Sequence, residues 1–173
     1  MLSAQSLTVA RVGDALRVRA PGFGFIQGEP LARLKDGGSV RVELELAVLD
    51  RPGASPAARS RRTFVLSYDL WEERFAVAQV DSPSRSISHL TSRDAEAWCL
   101  DQLSVPVSAL GRLGGDLPLW IRLEYRIVDG GNTPAPDDDT GYTLRGLIDA
   151  LSRRPKADAL TRSIEAGPFR LRE

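Results

Sequence analysis

Two segments alternate apolar and charged residues too strictly to be anything but half-buried strands. In "VRVELELAVLD" the residues Val40, Val42, Leu44, Leu46 and Val48 are apolar, with Arg41, Glu43 and Glu45 between them. In "LWIRLEYRIVDG" the apolar set is Ile121, Leu123, Tyr125 and Ile127, set against Arg122, Glu124 and Arg126. A period of two places one set on a buried face and the other in water, because successive side chains of a strand point to opposite sides. Opposite charges on the wet face can then pair across neighbouring strands, each pair contributing about 0.2–1 kcal/mol.

Shorter strands fit around these two. "SLTVARVGDALRVRA" reads as a hairpin turning at Gly13-Asp14, and "RTFVLSY" and "RFAVAQV" read as a second pair. Between them lies "YDLWEERFAV". Asp69 suits the cap of a tight connection, Glu72 to Arg74 its solvated crown, and Leu70 and Trp71 are expected to fold down over the end of the core, with an exposed epitope as the alternative. Helical signals are few. "EPLARLKDGG" has Pro30 in a first turn and Gly37-Gly38 as a stop, and "TSRDAEAWCLDQL" has Thr91 or Ser92 as a cap and Val105-Pro106 beyond its end. "YTLRGLIDALSRR" places Leu144, Leu147, Ile148 and Leu151 on one face before Pro155. "GPFRLR" is a possible last strand.

The predicted fold is mainly β: an antiparallel sandwich, immunoglobulin-like or C2-like, with one helix between strands and a helical C-terminal segment. The expected organisation is a sandwich over 1–128, a Gly/Pro/Asp-rich linker over 129–141, and a helical segment over 142–173 packing back on the same domain. The apolar faces should include Val42, Leu44, Leu46, Phe64, Leu66, Phe75, Leu123 and Tyr125.

Composition narrows the function. With 23 basic and 23 acidic residues the formal net charge is zero, whereas a nucleic-acid binder carries a basic excess, so no nucleic-acid partner is expected. Cys99 is the sole cysteine, which leaves no internal disulfide and no thiolate cluster. No window approaches the roughly 18 apolar residues of a spanning helix. The start "MLSAQSLTV" has neither the basic nor the apolar region of a signal peptide.

No motif converges on chemistry. "GFGFIQG" (22–28) has Gln27 where a dinucleotide loop needs its last glycine, and reads as a connection between strand and helix. His89 is the sole histidine and would need a nucleophile or further ligands beside it, while Cys99, in a predicted helix, reads as a small buried apolar group. The run Asp137 to Asp139 lacks the alternation of a calcium loop. Trp98 and Trp120 read as core. No catalytic, cofactor-binding or metal-ligating residue is therefore assigned, and no cofactor is expected. The candidate interaction surface is Arg51, Arg59, Arg61 and Arg62, on a long loop over 50–62, together with Trp71.

Several segments together carry a resemblance. A strand hairpin precedes "PLARLKDGGSVRVELEL"; a charged loop leads to "TFVLSYDLWEERFAV"; then come "SISHLTSRDAEAWCLDQL" and "PVSALGRLGGDLPLWIRLEYRI". Over residues 7 to 128 this order resembles a bacterial family of unassigned function, domain-of-unknown-function family 4390. The resemblance implies a β-rich, exported or membrane-attached protein, periplasmic or in the cell envelope with the cytoplasm as the alternative, and supplies no catalytic residues. The expected function is a non-enzymatic module that binds or scaffolds another protein. The alternative is a C2-like module that docks weakly on anionic membranes through the arginine loop, each basic residue near the surface contributing about 1 kcal/mol.

Overall fold

In the computed structural model the described residues are 7–128 and 160–171. The chain runs β1 (Thr8–Val12), β2 (Ala15–Arg19), α1 (Gly28–Lys35), β3 (Val40–Leu49), β4 (Ala58–Asp69), β5 (Arg74–Gln79), β6 (Arg85–Leu90), α2 (Ser92–Asp101), β7 (Val105–Pro106), a 3-10 stretch (Val107–Gly114), β8 (Leu119–Val128) and β9 (Leu160–Phe169). Six strands form one antiparallel sheet in the order β6-β5-β4-β3-β8-β9, and three form a second in the order β1-β2-β7. The fold is thus mainly β and sandwich-like.

The two strictly alternating segments are the centre of the large sheet. β3 and β8 pair with Val42 opposite Ile127, Leu44 opposite Tyr125 and Leu46 opposite Leu123, so the apolar sets share one face. That face continues through Phe64 and Leu66 of β4 and Phe75 and Val77 of β5. All eight residues expected in the apolar faces are buried. The second layer is the small sheet with α1 and α2, and it contributes Leu16, Val18, Leu34, Ala95, Cys99, Leu100 and Val105 to the same core. Phe23 and Phe25, from the β2–α1 connection, close over Tyr125 with ring centroids 5.1 and 5.8 Å away.

Helix ends follow their local chemistry. The Thr91 hydroxyl accepts the Asp94 N–H at 3.2 Å and caps α2. At the end of α1, Gly37 N–H donates to the Leu34 carbonyl and Gly38 N–H to Arg33, with Gly37 at φ +84°, the Schellman arrangement that releases the chain into β3.

Three sequence expectations change. The segment 142–173 is not helical throughout, since Leu160–Phe169 is a strand paired to β8; its earlier part and the 129–141 stretch lie outside the described residues. "RSISHL", where no strand is predicted, forms β6. The connection from β3 to β4 spans only 50–57, because β4 begins at Ala58.

The β4–β5 hairpin tip as candidate functional site

β4 and β5 stay paired to Asp69 opposite Arg74, leaving Leu70 to Glu73 as the turn. One oxygen of Asp69, Oδ1, accepts the N–H groups of Trp71 at 2.8 Å and Glu72 at 3.0 Å. This is the Asx arrangement, in which a side chain replaces a backbone turn acceptor. Glu73 then takes φ +54° to bring the chain back into β5. The donations from Glu72 and Trp71 hold the Asp69 carboxyl below its ordinary range, with a smaller contribution from His89.

The neighbouring strand completes the site. Between β5 and β6 the register moves from Phe75–Leu90 to Val77–Ile87, so β6 carries one extra residue there. Within that bulge His89 sits at φ +60°, and its Nδ1 lies 2.7 Å from Glu72 Oε2. An open cleft of ≈ 440 Å³ lies between, lined on the hairpin side by Tyr68, Asp69, Glu72, Arg74 and Phe75 and on the other by Ser88 and His89. Tyr68 and Phe75 pack ring to ring at 4.8 Å beneath it.

Leu70 and Trp71 do not fold down over the core. Trp71 is 96% exposed and Leu70 57%. The reason is local: the Asx turn spends the Trp71 and Glu72 N–H groups on Asp69, and the end of the core is already closed by the Tyr68–Phe75 pair. Trp71 therefore stands in water in the turn between Asp69 and Glu72, both of which line the cleft.

The arginines do not form one loop. Only Arg51 lies in the connection, while Arg59, Arg61 and Arg62 belong to β4. Arg61 grips Glu45 Oε2 with Nε at 2.9 Å and Nη2 at 2.6 Å, which raises its guanidinium above the ordinary value. Arg62 turns its Nη1 onto the Arg61 carbonyl at 2.8 Å. The connection itself is tied to the sheet, with Gly53 N–H donating to Glu165 Oε1 at 3.0 Å while Arg122 holds Glu165 Oε2 at 3.1 Å. From Arg59 to the tip runs about 30 Å of strand at ~3.3 Å per residue, so the structure does not bring Trp71 and the arginines into one patch.

The remaining candidates separate as well. Cys99 is fully buried in α2, burial pushes its thiol far above the ordinary range, and it does not line the cleft that holds His89. "GFGFIQG" is indeed a strand-to-helix connection. The N–H groups a phosphate would need are taken, since Phe25 and Ile26 both donate to Glu96 Oε1 at 2.7 Å. Trp98 packs edge-on against Phe64, with centroids 6.1 Å apart, and Trp120 lies half-buried over Gly167. Asp137 to Asp139 lie outside the described residues. Among the described residues no three His, Cys, Asp or Glu side chains gather to hold a metal ion, and no helix is long and apolar enough to cross a membrane.

The Glu72–His89 contact escaped sequence reasoning because Glu72 stands in the β4–β5 turn and His89 on β6, brought together only by sheet register. The one available signal is the lone histidine near the end of "RSISHL".

Fold and site together define a mainly-β domain that presents an aromatic hairpin tip. Comparison with family models, with curated proteins and with solved structures finds no match in any of the three.

Proposed function

We propose that this domain is a non-enzymatic protein-binding module that meets its partner with the tip of the β4–β5 hairpin. The exposure of Trp71 carries this reading. Burying a tryptophan removes about 150–250 Å² from water, worth roughly 4–6 kcal/mol before ordering costs at about 25 cal/mol per Å². Tryptophan is also among the residues most enriched where binding energy concentrates. The Asx turn keeps the tip ordered before contact, so little entropy is lost on docking. The resemblance to the envelope family supports a periplasmic or envelope setting, which cell fractionation tests.

Docking on an anionic membrane is the weaker reading. The tip carries Asp69, Glu72 and Glu73 against Arg74, and an anionic surface repels it, while Arg61 is already paired. Vesicle sedimentation should show no gain on adding anionic lipid.

The test is site-specific photocrosslinking from position 71, with Lys35 on α1 as the control position. One partner recovered from 71 and not from 35, and lost when unlabelled protein competes, supports the reading. Identical products from both positions would sink it.

A further inference from the structure

We propose, resting on the docking reading above, that the group received at this tip is a cationic side chain, the arginine or lysine of a basic segment in the partner protein. The cleft offers two things such a group needs. Carboxylates come from Asp69 and Glu72, each with one oxygen already committed: Asp69 Oδ1 to the turn and Glu72 Oε2 to His89. Asp69 Oδ2 and Glu72 Oε1 carry no hydrogen bond among the described residues. Glu73 adds a third exposed acid at the turn, with no ion pair among the described residues.

Aromatic surface comes from Tyr68, which lines the cleft over the buried Phe75 ring, and from Trp71 in the turn between Asp69 and Glu72. A cation over an aromatic face gains about 0.5–2 kcal/mol, most with tryptophan and most with arginine. The cleft's own cation, Arg74, is turned aside, its Nη1 donating to the Glu73 carbonyl at 3.1 Å. Asp69, Glu72 and Glu73 outnumber Arg74 and His89 at the tip, and an incoming basic segment meets an attractive field. An acidic or apolar segment would leave the free carboxylate oxygens desolvated without a partner.

The test uses the full chain and three synthetic Gly/Ser peptides, carrying spaced arginines, spaced glutamates or no charge. Trp71 is the fully exposed tryptophan, and its indole N–H resonance and emission report occupancy. Only the arginine peptide should shift them, with affinity falling as salt is raised. Trp71→Ala, followed by calorimetry because the substitution removes the indole reporter, should weaken binding about tenfold, matching the upper range of a cation–aromatic contact. Glu73→Gln, on an exposed turn residue, should weaken it by roughly threefold, as loss of one exposed charge pair predicts.

An equal response to the uncharged peptide, or affinity unmoved by salt and by E73Q, overturns the cationic assignment. Binding of the arginine peptide that survives W71A overturns the tip as its location. A partner crosslinked at position 71 through a neutral or acidic surface refutes this inference and leaves the docking reading standing. Absence of any specific crosslink removes that reading itself.

Discussion

Glu96 on α2 accepts the backbone N–H of Phe25, 71 positions earlier in the chain, at 2.7 Å. The same oxygen takes the Ile26 N–H at 2.7 Å, so a single half-buried carboxylate pins the β2–α1 connection whose phenylalanines cover Tyr125. Glu96→Ala leaves both donors without an acceptor. It should cost about 2–3 kcal/mol, the range for stranded polar groups. Glu96→Gln retains an acceptor oxygen and should cost less than half as much. Urea unfolding of the two variants checks the order.

The same residue sets a pH dependence. Burial, the largest influence, raises the Glu96 carboxyl above its ordinary value, while the Ile26 and Phe25 donations and Arg93 pull it back. A folded value above the unfolded one means the native state holds its proton longer. Stability should therefore decline as pH rises from the ordinary glutamate value through the folded one, then level off. Against Glu96→Gln, the wild-type protein should lose ground across that window. A gain with rising pH would show that the hydrogen bonds outweigh burial.

Asp69 has the opposite sign. Its carboxyl is lowered by the Glu72 and Trp71 N–H groups, so its support of the turn is present above the ordinary aspartate value and disappears as pH falls through the lower folded value. Amide exchange at Trp71 and Glu72 should quicken in strong acid, and at neutral pH in Asp69→Ala. Asp69→Asn keeps an acceptor and should stay close to wild type.

Gly167 lies under Trp120. A Cβ there would stand 2.5 Å from Trp120 Cδ1 and 2.9 Å from the Leu119 carbonyl oxygen. Gly167→Ala should destabilise by about 1–3 kcal/mol, as overpacking does. Trp120→Ala in the same chain should recover part of that loss, and the Leu119 carbonyl together with the Gly167 φ of +157° accounts for the remainder. A double-mutant thermal unfolding series measures the coupling.

Cys99 should be inert while the fold is intact, because the nucleophile is the thiolate and burial disfavours it. A thiol reagent should label it only at the rate of global unfolding, and promptly in denaturant. Fast labelling of native protein would mean α2 opens locally.

The strands easiest to find were those whose two faces differ most. In β3 and β8 one face is core and the other carries charge, so alternation survives as a pattern of residue types. β9 is partly covered on one face and exposed on the other, and "LTRSIEAGPF" shows little contrast. β6 hides for another reason: its bulge sets Ile87 and Leu90 three apart, which breaks the period of two. The arginines looked like a loop because Pro52, Gly53 and Pro56 stand just before them, yet pairing with β3 draws the chain into β4 from Ala58 onward.

By itself the sequence determined the alternating strands, the hairpin turns, the helix caps and the absence of a basic excess, since each depends on residues close together in the chain. Only the tertiary structure decided that Glu96 fills the glycine-rich connection, that His89 meets Glu72 across a bulge, and that Trp71 faces water. Those facts depend on which strands are neighbours and on their register. Sheet pairing joins residues that no local pattern connects, and one extra residue in β6 was enough to set the shape of the site.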